Sequence, residues 1–146
     1  MKSQFIIIDT GFLVALHTKN DKYHKKTVEI SEKIKHRKWI TAWPVVVEAC
    51  HFFIQKNNIQ AVLLLINLLE NNLLALFQIE KKHFSDIKTL LLKYKDLPMD
   101  LADASLVILA QELNSGDIVS TDQRDFKTYR WKNHHPFHNL LIEEIT

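Results

Sequence analysis

Short apolar runs alternate along the chain with longer stretches in which apolar side chains recur every three or four residues. The first kind predicts strands and the second amphipathic helices. Strands are expected at residues 5–9, 39–41, 74–79 and 117–121, with a weaker edge strand at 140–145. The run 5–9 is unbroken apolar up to Asp9, as in a strand buried on both faces. Between the strands, residues 23–35 place Val28, Ile30 and Ile34 among charges, and Pro44 suits the first turn of a helix reaching Lys56. A further helix is expected from Ile59 to Glu70. Phe84, Ile87, Leu91 and Tyr94 share one face of another, which Pro98 ends. The last begins at Asp100 and stops before Gly116. Strands alternating with helices predict an α/β fold with a parallel sheet covered on both faces.

The length, 146 residues, fits a single domain over residues 1–146 with a core that needs no staples. Ordinary proportions of apolar (47%) and charged (25%) residues predict a soluble protein, and a net charge of +2 is too small to imply nucleic-acid binding by itself. Cys50 is the single cysteine, so a reducing, cytoplasmic setting is expected. Asp9 interrupts the apolar stretch from Phe5 to Leu16, which therefore reads as mature structure, and Asn67, Glu70, Asn71 and Asn72 break residues 61–77 well short of a membrane span. Two glycines, Gly11 and Gly116, cannot supply a dinucleotide fingerprint or a phosphate-cradling loop, and neither G-x-S-x-G nor H-E-x-x-H occurs.

Four segments leave a carboxylate where apolar patterning would not choose one: Ile8-Asp9-Thr10, Val47-Glu48-Ala49, Met99-Asp100-Leu101-Ala102-Asp103, and Ser120-Thr121-Asp122-Gln123-Arg124-Asp125. Gathered in space, such acids repel by roughly 4 kcal/mol per pair at 4 Å and an effective dielectric near 20, so they persist only when protonated or neutralised by a cation. Asp9 and Asp122 end strands, where α/β sheets bind ligands, although either can equally be a turn former or helix N-cap. Glu48 lies among apolar neighbours and requires a partner if it is buried. Asp100 fits an N-cap, with Asp103 one turn inside the same helix.

Taken in order, these motifs resemble the PIN-domain family, and their spacing looks like that of the toxin ribonucleases of VapBC-type toxin-antitoxin modules. The resemblance implies a three-layer α/β/α sandwich around a central parallel sheet, Mg²⁺ or Mn²⁺, and endonucleolytic hydrolysis of RNA leaving a 5′-phosphate. It assigns Asp9, Glu48 and Asp103 as catalytic metal ligands and Asp122 as the fourth, a place for which Asp125 is the alternative; Thr10, Asp100, Ser120 and Asp125 stand in support. Gly11 stands where the family would lead one to expect serine or asparagine. A cognate antitoxin is the implied partner, and surplus apolar residues in 61–77 suggest a homodimer.

Carboxylate oxygens suit a hard cation, which can activate water and offset phosphoryl charge. RNA would also need cations at the rim. One candidate is the lysine-rich segment from Lys19 to Lys38, which includes Arg37. The stronger one is residues 124–138, where Arg124, Lys127, Arg130 and Lys132 interleave with Phe126, Tyr129, Trp131 and Phe137. The run His134-His135-Pro136 lacks accompanying ligands and reads as a polar loop. Two other accounts share the fold class: a non-catalytic RNA-binding or regulatory domain, and a phosphoryl-accepting receiver-like domain using Glu80 after the third strand.

Overall fold

In the computed structural model, which describes residues 3–143, five parallel strands form one sheet in the order β3-β2-β1-β4-β7. The strands are β1 (Phe5–Ile8), β2 (Lys38–Ala42), β3 (Leu74–Phe77), β4 (Asp117–Val119) and β7 (His138–Asn139). Helices α1 (Thr10–Leu16), α2 (His24–Ile34), α3 (Trp43–Gln55), α4 (Ile59–Glu70), α5 (Phe84–Lys93), α6 (Leu101–Leu113), α7 (Gln123–Thr128) and α8 (Leu140–Glu143) flank the sheet in the expected three-layer α/β/α arrangement. A small antiparallel hairpin, β5 (Arg130–Trp131) with β6 (His135–Pro136), stands apart. The sheet order also differs from the 2-1-3-4-5 order of receiver-type domains, and Glu80 caps a short 3₁₀ turn with His83; the receiver account is set aside.

The central position of β1 explains its unbroken apolar run, since Ile6, Ile7 and Ile8 are all fully buried. Its carboxyl end is fixed from both sides. Thr41 Oγ1 donates to Ile8 O (2.7 Å), and the Asp9 amide donates to Val119 O (3.2 Å). The strand order reverses between β1 and β4, so the crevice that such a reversal opens lies beside Asp9 and the residues after β4. No helix among the described residues is long and apolar enough to cross a membrane.

Several elements differ from expectation for identifiable reasons. Residues 10–16 and 123–128 are helices, each started by an aspartate cap on a segment too short to show a helical period. The final edge strand is residues 138–139 rather than 140–145. Leu140 and Leu141 are both buried, which a helical turn permits and strand alternation does not, and residues 144–146 lie outside the described range. In α2 the buried positions are Thr27, Ile30 and Ile34, leaving Val28 exposed. In α5 it is Leu90, with Tyr94, that turns inward, while Phe84 faces out. Asn114, at φ 54°, ends α6, not Gly116; a Cβ at Gly116 would sit 2.4 Å from Trp131 Nε1, so that glycine serves close packing.

Candidate metal centre

Three of the acids are also helix N-caps, so the capping and ligand readings of these residues are compatible. Asp9 caps α1 and accepts from the Thr10 amide at 2.8 Å. Asp100 caps α6 by accepting from the Asp103 amide at 2.8 Å. Asp122 caps α7 by accepting from the Asp125 amide at 3.2 Å. In each case a single oxygen does the capping. Because α1 and α7 start just beyond the reversal point of the sheet, capping itself delivers Asp9 and Asp122 there.

Asp103, Asp122 and Asp125 form the tight cluster: one carboxylate oxygen of each lies within 4.8 Å of the others. Asp9 adjoins them, its charge felt at Asp103 and the charge of Asp122 felt in return. Its Oδ2 accepts a 2.6 Å hydrogen bond from Ser120 Oγ, which also accepts from the Asp122 amide at 2.9 Å. Ser120 therefore ties two acids together. It is held in turn by Asn139 of β7, which accepts from the Ser120 amide (3.2 Å) and donates to its carbonyl (2.9 Å).

Glu48 takes the exposed alternative. Helix α3 buries Val45, Val46, Ala49 and Phe53, while Glu48 sits on its exposed side. It is near enough to Asp9 to disfavour that group's ionisation, but it is not part of the tight cluster. Asp100 is exposed and confined to capping and a repulsive influence on Asp103. Asp125, expected as a supporting residue, belongs to the cluster; its spacing of three from Asp122 in a helical first turn is the sequence signal for that. Gly11 also acquires a reason, since a Cβ there would lie 1.9 Å from Thr121 Oγ1, blocking the approach of α1 to the segment after β4.

The electrostatics match a site built for positive charge. Burial, then the Ser120 and Thr10 hydrogen bonds working against it, leave Asp9 raised from 3.8 to about 6. Asp103 is raised from 3.8 to about 8, by burial first and then by Asp100, Asp9 and Asp122, with the Tyr129 hydrogen bond opposing. Asp122 is raised by burial and by Asp125. Two buried oxygens here lack a hydrogen-bond partner, Thr10 Oγ1 and Asp125 Oδ1, the latter 3.7 Å from Arg124 Nε. Hard oxygen donors, mutual repulsion and an orphaned carboxylate oxygen together fit a divalent cation.

The expected RNA-binding segment divides. Phe126, Tyr129, Trp131 and Phe137 are buried, so their rings pack in the core and are not available to stack on bases. The guanidinium of Arg130 caps the carbonyls of Lys127, Thr128 and Tyr129, and Lys132 donates to Asn114 Oδ1. Arg124 and Lys127 remain exposed on α7. Arg37 is also withdrawn from the rim, pairing with Asp117 Oδ2 at 2.7 Å where β1 and β4 begin, at the other end of the sheet. His135 stacks on Trp131, and neither His134 nor His135 joins a metal-binding cluster among the described residues.

The Mycobacterium tuberculosis toxin VapC20, whose structure is titled a sarcin-ricin loop cleaving toxin, superposes on the chain with a TM-score of 0.72 and 13% identity, over 80% of this chain and 89% of that one. No curated protein matches the sequence. The PIN domain family model matches residues 6–132, spanning β1 and its terminal acid through the hairpin. The chain belongs to the PIN domain family.

Proposed function

We propose that this protein is a metal-dependent endoribonuclease and the toxin of a VapBC-type module. The observation that carries the reading is the meeting of Asp103, Asp122 and Asp125 beside Asp9 at the reversal point of the sheet. Asp9, Asp103 and Asp122 are assigned as ligands, with Glu48 completing the set from the exposed side and Asp125 added to it. Mg²⁺ or Mn²⁺ held there would activate water for in-line attack on phosphorus and offset charge on the phosphoryl oxygens. The chain's own contribution is positional. Ser120 holds Asp9 and the Asp122 backbone in one frame, and burial disfavours these acids as free anions, so they gain from a cation. Arg124 and Lys127, exposed on the helix that Asp122 caps, are placed to meet phosphates.

The same reading includes a cognate antitoxin, a cytoplasmic setting and a homodimer. Exposed Leu63, Leu64 and Ile66 on α4, with Leu73 beyond it, support the dimer surface. Light scattering at micromolar concentration should give twice the monomer mass, and a monomer would remove that part of the proposal.

The test is cleavage of labelled structured RNA, including a sarcin-ricin loop hairpin, with Mg²⁺, Mn²⁺ or EDTA. Cutting should require the metal and should fall by at least about a hundredfold in Asp103→Asn, given the several kcal/mol that metal charge contributes. Inducible expression should arrest growth, and Glu48→Gln should relieve the arrest. Metal-independent cutting, or equal cutting by Asp103→Asn, would overturn the proposal.

A further inference from the structure

Resting on the metal reading above, we propose that Tyr129 is a positioning residue that holds Asp103 in its ligating orientation from within the core. Tyr129 Oη donates to Asp103 Oδ2 at 2.8 Å, joining residues 26 apart in sequence. Asp122, Asp125 and Tyr129 stand at the N-cap, in the first turn and at the C-cap of α7, and the Tyr129 amide donates to Asp125 O at 2.9 Å. The short helix α7 and its two caps therefore carry two acids of the cluster and, at the far end, the hydroxyl that grips the third acid, from α6.

The hydroxyl has little freedom. The Tyr129 ring is fully buried, edge-on to Tyr94 (5.0 Å) and Phe126 (5.2 Å). Tyr94 is itself anchored, its Oη accepting from the Arg130 amide at 3.0 Å. The chemistry of the donor matters as well. A lysine or arginine here would neutralise the carboxylate and compete with the cation, whereas a phenol fixes one oxygen and leaves the negative charge in place. Tyr129 thus does for Asp103 what Ser120 does for Asp9.

Metal uptake separates this role from packing. Full-length wild type, Tyr129→Phe and Tyr94→Phe are titrated with Mn²⁺ and followed by the EPR signal of the free ion. Tyr129→Phe should bind about 10 to 100-fold more weakly, while its metal-free melting temperature stays near wild type because the ring is retained. Cleavage by Tyr129→Phe should return to the wild-type maximal rate when Mn²⁺ is raised, so that the metal requirement shifts and kcat does not. Tyr94→Phe, whose hydroxyl meets a backbone amide and no acid, should bind Mn²⁺ as wild type does. Equal affinity in wild type and Tyr129→Phe, or equal weakening in both tyrosine variants, would overturn the positioning role alone. A wild-type protein that takes up no Mn²⁺ would overturn the metal centre and Tyr129's role together.

Discussion

Asp9 carries a charge that its surroundings resist, and this leaves a signature in stability. A carboxyl whose pKa rises from 3.8 to about 6 on folding is protonated in both states below pH 4; between 4 and 6 the unfolded chain ionises first, and stability falls. Above pH 6 the loss is complete at about 3 kcal/mol. Asp103, raised to about 8, extends the decline toward pH 8, with a smaller weight because it is partly solvated. The metal-free protein should melt at a lower temperature at pH 8 than at pH 5, and Mn²⁺ should raise the melting temperature more at pH 8, where protons no longer compete for the oxygens. Asp9→Asn should flatten the metal-free profile while abolishing cleavage. A wild-type melting temperature that climbs from pH 5 to pH 8 without metal would contradict the assignment of these two groups.

At the scale of elements, the scarcity of glycine raises the question of how the helices stop. Asn57, Asn72 and Asn114 adopt φ of 55°, 59° and 54° at the ends of α3, α4 and α6. Each stop has the same paired bonds: Asn58 to Phe53 O with Asn57 to Ile54 O, Leu73 to Leu68 O with Asn72 to Leu69 O, and Ser115 to Ala110 O with Asn114 to Gln111 O. Asparagine tolerates this left-handed backbone better than other residues with a Cβ. Asn72→Ala should therefore cost about 1 kcal/mol, or about 2–4 °C in a chain of this length, while Asn72→Gly should match or exceed wild type. Equal melting temperatures for Asn72→Ala and wild type would remove this account. These asparagines were visible in the sequence, yet their conformation was not, because asparagine serves equally in turns, caps and solvated faces. The strands β1 and β4 and helix α4 were legible because each is long or apolar enough to show its period. Helices α1 and α7 are too short for that, and they position Asp9, Asp122 and Asp125. The acids themselves stand out as exceptions to apolar patterning, and that is the signal that makes Asp9, Asp103 and Asp122 candidates from the sequence alone. Tyr129 carries no such signal, since a buried ring at a helix end looks like any core aromatic until its hydroxyl is located. The apolar neighbours of Glu48 leave its burial open, and the helix settles it, because its own face is shared with exposed His51 and Gln55.

Across the molecule, the two ends of the sheet carry opposite electrostatic designs. The carboxyl ends of β1 and β4 gather like charges, and the amino ends are stapled by Arg37, which donates to Ser3 O and Phe5 O as well as to Asp117. The ion pair is largely shielded, with side-chain exposures of 10% and 18%, so removing Arg37 leaves the Asp117 carboxylate facing the His138 imidazole, 3.4 Å away, in place of a guanidinium. Arg37→Met should destabilise the fold by about 3 kcal/mol and leave Mn²⁺ affinity as it was. A loss of affinity at constant stability would mean that the two ends are coupled through β1.

The Ser120 to Asp9 hydrogen bond joins residues 111 positions apart, and its clamp, Asn139, lies nearer still to the carboxyl terminus. Contacts this distant close late, after loop entropy has been overcome. A chain that has not yet brought residues 9, 120 and 139 together lacks the frame that orients Asp9, so the carboxyl end of β1 acquires its final geometry only once these distant segments have docked.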